Sequence, residues 1–99
     1  MRTIRFMKWN CGIKVVKYIE PNNLALQLIN IDDGSPIIMA SVNPEFKLNE
    51  NEIAIKSWAE NDGVADILMK AGIISDIKRI IILGHAEATV HDLLITKKD

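Results

Sequence analysis

Cysteine is nearly absent from this chain. Cys11 is the only one, so no disulfide can form within it. Secreted domains of this size commonly depend on several bridges, so a lone thiol points to a reducing, cytoplasmic setting. Aromatic residues are also scarce, at 5% of 99 residues. The core must therefore be aliphatic, and exposing an aromatic ring would sacrifice scarce core material. Long hydrophobic runs are missing. The longest aliphatic stretch is Ile80-Ile81-Ile82-Leu83, far below the roughly 20 apolar residues of a membrane-spanning helix. The segment Met1 to Lys8 is basic but has no apolar signal-peptide region behind it. These absences give the expectation of a soluble, cytoplasmic protein without a membrane partner.

An excess of one charge is missing too. Twelve Lys and Arg face 13 Asp and Glu, for a net charge of −1. That disfavours bulk attraction to a polyanion of the histone kind. The length matches one domain over residues 1–99, and 48% hydrophobic with 25% charged residues is ordinary globular composition. The near-zero sum hides polarity, however. Residues 1–17 carry Arg2, Arg5, Lys8, Lys14 and Lys17 and no acid. Residues 18–66 carry nine acids against Lys47 and Lys56. A localised basic patch is therefore compatible with the neutral total.

Strand signals dominate what is present. Ile13 to Ile19, Leu24 to Ile31 and Ile37 to Val42 are rich in β-formers. Pro21-Asn22-Asn23 and Asp32-Asp33-Gly34-Ser35 separate them with turn chemistry. A β-meander follows, with Leu24, Leu26 and Leu28 on one face and Ala25, Gln27, Ile29 and Ile31 on the other. Residues 1–7 read as an arm ahead of it. Asn43-Pro44 opens a connecting loop over 43–52, and Ile53 to Lys56 reads as a short strand. Val64, Ile67, Leu68 and Ala71 recur at helical spacing and predict one helix over about 61–71. Asn61 or Asp62 would cap it, Asp66 and Lys70 would pair at i,i+4, and Gly72 would stop it. Ile77 to Leu83 and Ala86 to Ile95, separated by Gly84-His85, read as a second hairpin, with a helix over 86–95 as the alternative. The isoleucine-rich strand is expected at the centre of a sheet, buried on both faces. At an edge, it would imply a dimer. Lys97-Lys98-Asp99 reads as a frayed tail. The class is α+β: a single domain with a mainly antiparallel sheet and one helix.

Chemistry is harder to find. The phosphate-cradling glycine motifs, H-E-x-x-H, C-x-x-C and the EF-hand loop are all absent. On a strand, His85 and His91 would lie about 20 Å apart at roughly 3.3 Å per residue, too far to share a metal. His85 reads as a turn residue and His91 as a sheet-face residue. Cys11 would need a histidine base to act as a nucleophile, and no motif positions one. Asp32-Asp33 reads as a turn, and Glu50 and Glu52 as loop acids. Trp58 reads as a hydrophobic staple at the helix start, with a partner-facing anchor as the alternative. No catalytic residue, cofactor or metal is expected.

Binding is the better expectation. Arg2, Arg5, Lys8, Trp9 and Lys14 form the candidate contact set for a partner or for nucleic acid. Cations interleaved with Phe6, Trp9 and Tyr18 resemble the equipment of single-strand binding. Strand alternation nevertheless prevents all of these residues from sharing one surface.

Lys8-Trp9-Asn10-Cys11-Gly12, Asp33-Gly34, Glu52 through Gly63 and Leu68 through Ile74 resemble a family of small uncharacterised proteins. Its members are encoded in bacterial genomes and on mobile elements such as conjugative plasmids and phages, and it is labelled a domain of unknown function. The shared pattern is A-I-K-x-W/Y-x-E-N-x-G followed by A-G-I, and the resemblance spans about residues 8–95. It implies no substrate, cofactor or catalytic residue. It implies an accessory protein of a mobile element that binds a host or plasmid component. The combined expectation is a small non-enzymatic interaction protein, monomer or homodimer, acting as an inhibitor or regulator. The alternative is a nucleic-acid-binding module using the basic N-terminal segment.

Overall fold

The computed structural model describes residues 3–95. Eight strands and one short helix follow one another: β1 (Thr3–Phe6), β2 (Trp9–Lys17), β3 (Leu24–Asn30), β4 (Pro36–Met39), β5 (Ser41–Val42), β6 (Glu52–Ile55), α1 (Val64–Lys70), β7 (Arg79–Leu83) and β8 (Ala86–Asp92). They form two four-stranded sheets, β1-β2-β3-β4 and β5-β6-β8-β7, and every strand pairing is antiparallel. The architecture is α+β, as expected.

The meander is present and one strand longer than expected. Thr3–Phe6 pairs with Trp9–Gly12, so the arm expected over 1–7 is corrected: residues 3–6 are a strand. The reason is apolar anchoring, because Ile4 and Phe6 are 7% and 2% exposed within the main core. Arg2 and the tail Lys97-Lys98-Asp99 lie outside the described residues. The Asp33-Gly34 turn forms as read. Asp33 Oδ1 accepts from the Ser35 N–H at 2.9 Å and from its hydroxyl at 2.7 Å, while Gly34 takes φ +75°.

Ala40 carries the chain from one sheet to the other. It is fully buried; its N–H donates to Leu26 O at 2.9 Å, and its carbonyl accepts from Lys56 N at 2.8 Å. The next residue reinforces that joint. Ser41 Oγ accepts from the Leu26 N–H at 2.9 Å and lies 2.9 Å from the Tyr18 hydroxyl.

The main core gathers Phe6, Ile13, Leu26 and Leu28 from the first sheet, Ile53 and Ile55 from the second, and Val64 and Leu68 from α1. Fully burying one such side chain contributes about 1.5–3 kcal/mol. The opposite face of the second sheet has a smaller cluster of Leu48, Ala54, Ala88 and Val90. β6 is thus covered on both sides, which explains its near-continuous apolar sequence.

The helix is shorter than expected and begins differently. A 3₁₀ turn covers Ala59–Asn61, and α1 starts after Gly63 at φ +83°, with no side-chain cap. Asn61 and Asp62 both precede the N-cap position, which Gly63 holds, and the Asn61 amide instead donates to Met39 O at 2.8 Å inside the protein. The Asp66–Lys70 pair forms at 3.0 Å. Trp58 does not staple the helix, because the 3₁₀ turn intervenes. It packs instead on the smaller cluster, with Lys56 Nζ 5.7 Å from its ring centroid.

The largest correction concerns Ile80-Ile81-Ile82. The C-terminal hairpin forms, as strands on both arms, but β7 is at the edge of its sheet rather than the centre. β8 uses its other side for β6. Ile80 and Ile82 consequently remain 55% and 66% exposed.

Candidate functional site

Alternation along β2 decides what the first sheet presents. Cys11, Ile13 and Val15 point into the molecule, which leaves Asn10, Lys14 and Val16 on the outer face. Register brings neighbours to them: Arg5 beside Asn10, Lys14 beside Gln27, and Gln27 beside Met39. Arg5 Nη1 donates to Asn10 Oδ1 at 3.4 Å. Lys14 is four positions beyond Asn10 on β2, a spacing of about 13 Å along the strand. The outer face therefore combines two cations, two amide side chains and the apolar Val16, Ile29 and Met39. Among the described residues of β1–β4 on that face there is neither an acid nor an aromatic ring. Val16 and Met39 are 38% and 39% exposed.

The candidate set is thus divided. Arg5 and Lys14 share the outer face. Lys8 lies in the β1–β2 turn, with its Nζ 5.3 Å from the Trp9 ring centroid. Trp9 has the alternation of Cys11 and Ile13, opposite to Arg5 and Lys14, and is 37% exposed at the strand's end. Phe6 is in the core, and Tyr18 is held by Ser41. Trp9 therefore stands beside Lys8 at the end of the strand, and no aromatic ring stands with Arg5 and Lys14 on the outer face.

The groups considered for catalysis are engaged in structure. Cys11 is buried, and burial pushes its thiol above the ordinary value. His91 is fully buried. Its Nδ1 lies 2.8 Å from Ser75 O, so that nitrogen carries the proton and donates, and Nε2 accepts from the Thr89 hydroxyl at 2.7 Å. Both ring nitrogens are occupied, so His91 is not a base for Cys11. Burial holds its pKa below the usual imidazole value. Among the described residues, no group of three or more His, Cys, Asp or Glu could hold a metal ion.

The most charged cluster escaped sequence reading. Glu52 is not a loop acid. It begins β6, and its side chain is 1% exposed. Its carboxylate accepts two Arg79 donors at 2.9 Å each, lies 2.8 Å from Lys78 Nζ, and accepts from Asn49 N at 3.1 Å. The Arg79 bonds, then Lys78, hold it well below the usual carboxylate range. Lys78 also bonds Asp92 at 3.0 Å. The available signal was a single acid opening an apolar run, with two bases opening another.

No helix among the described residues is long and apolar enough to cross a membrane. Comparison of the chain with family models, with curated proteins and with solved structures finds no match.

Proposed function

We infer that this protein works by binding another protein, without catalysis, through the outer face of its first sheet. The observation carrying this reading is the joint presence of Arg5 and Lys14 with exposed Val16 and Met39 on one sheet face, where the described residues of β1–β4 include no acid. Apolar area supplies affinity, and unopposed cations select a partner with an acidic, partly apolar surface. The engaged states of Cys11 and His91 support a binding role over a catalytic one. The resemblance to mobile-element accessory proteins is consistent with regulation of a host or plasmid component.

Nucleic acid is the weaker reading, because base stacking needs rings beside the cations, and Arg5 and Lys14 have none on their face, while Trp9 stands beside Lys8 alone. The test is capture of partners from a host lysate by the wild-type chain and by Arg5→Glu/Lys14→Glu, alongside fluorescence anisotropy with oligonucleotides at low salt. The expected result is a specific protein retained by wild type and lost with the double variant. Oligonucleotide binding that disappears in the double variant would replace this reading.

A further inference from the structure

A second surface, independent of the outer face of the first sheet, is formed by the free edge of β7. We propose that β7 pairs antiparallel with β7 of a second copy about a two-fold axis through Ile81, joining the second sheets of two chains into one of eight strands.

The register dictates the match. The Gly84-His85 turn closes on the pair Leu83 and Ala86, so Leu83, Ile81 and Arg79 direct their main-chain groups at β8. Ile80 and Ile82 alternate with them and direct their N–H and C=O outward, where no described residue reaches them. Two antiparallel copies of this strand place Ile80 of each opposite Ile82 of the other. The outward donors and acceptors then satisfy one another in four main-chain bonds. An isologous contact of this kind closes at two chains. It also brings four β-branched side chains together on one face, a favourable cross-strand arrangement. Those are the same side chains left 55% and 66% exposed in one chain.

Charge permits the pairing. Edge strands are commonly blocked by lysine, proline or shortness. The other three edges have such devices: β4 starts with Pro36, β5 has two residues, and β1 carries exposed Arg5. On β7 the adjacent cations are drawn back onto their own sheet. Arg79 is bound by Glu52 at 2.9 Å, and Lys78 by Glu52 and Asp92 at 2.8 and 3.0 Å. In the two-fold register Arg79 meets Leu83 of the second copy, so no like charges stand opposite each other. Phe46, 49% exposed beside Ile82 and Leu83, adds apolar surface at the rim.

Sedimentation equilibrium of the whole chain over a dilution series, with hydrogen exchange at both ends of that series, tests the proposal. The mass is expected to rise from 11.1 kDa toward twice that value with concentration. The Ile80 and Ile82 amides are expected to gain protection in parallel. Ile80→Lys/Ile82→Lys should remain folded by circular dichroism and sediment as a monomer at every concentration. Should it not fold, Ile80→Thr/Ile82→Thr preserves β-branching and should weaken the dimer at least tenfold. Val16→Lys/Met39→Lys, on the other face, should leave the dimer intact. A wild-type monomer throughout, a dimer that survives the β7 variants, or one abolished only by the Val16 and Met39 changes would overturn the proposal.

Discussion

Arg79 of β7 grips Glu52 of β6 across the intervening strand β8, with two donors at 2.9 Å on the two carboxylate oxygens. The pair therefore ties three strands together, and its acid is shielded from water while its base is 41% exposed. Glu52→Gln keeps the shape but removes the charge that Arg79 and Lys78 converge on. Breaking a fully buried pair costs about 3–5 kcal/mol, and the solvent still reaching both bases reduces that to about 2 kcal/mol. Arg79→Leu should cost more, because it leaves the shielded carboxylate with less compensation. Urea denaturation of the two variants and of the double variant measures both costs and their coupling.

Acid is expected to weaken the protein in two stages. His91 is neutral in the fold, and burial depresses its pKa below 6.5. Above 6.5 neither folded nor unfolded chain is protonated there. As pH falls below that, the unfolded chain takes up the proton first and stability drops, until the folded value is passed. Glu52 follows the same sign from a lower start. Its folded pKa is depressed below 4.5, so its contribution is whole above 4.5 and is lost as pH falls further. Denaturation midpoints from pH 7 to 3 should show both declines, and His91→Gln should flatten only the upper one.

Asn23 is expected to be indispensable to the long loop before β6. Its buried amide donates to Asn43 Oδ1 and Phe46 O at 3.1 Å each, and its carbonyl accepts from Leu48 N at 2.8 Å. Asn23→Ala strands those loop groups, at about 2–3 kcal/mol for unsatisfied buried partners. A lowered melting temperature and faster proteolysis within residues 43–51 are the readouts.

Gly63 is expected to resist substitution for conformational reasons alone. Its φ is +83°, and a Cβ there would meet no heavy atom within 4 Å. Gly63→Ala should cost about 1 kcal/mol through the left-handed backbone, and Gly63→Asn less, because asparagine tolerates that region better. Equal losses in thermal denaturation would exclude this cause.

Much of the local structure was legible in the sequence. The Asp33-Gly34 turn, the alternation of Leu24, Leu26 and Leu28, the Asp66–Lys70 pair and the Gly84-His85 hairpin all depend on residues close in the chain. Their geometry follows from φ preference and from side-chain period. Part of the candidate site was legible as well. Strand alternation already implied that the N-terminal cations and Phe6, Trp9 and Tyr18 would not all share one surface. Which of them did, namely Arg5 and Lys14, required the register of β1, β2 and β3.

By itself the sequence determined an aliphatic, cysteine-poor α+β chain with a meander, one helix and a terminal hairpin. Only the tertiary structure decided that the strands divide into two sheets at Ala40, and that β7 is an edge strand. Ile80-Ile81-Ile82 reads the same at an edge or a centre, because its period says which way side chains alternate and nothing about what covers them. Glu52 and Arg79 are 27 positions apart, and His91 and Ser75 are 16. Such pairs carry no local signature, since the packing that excludes water from one partner also brings in the other.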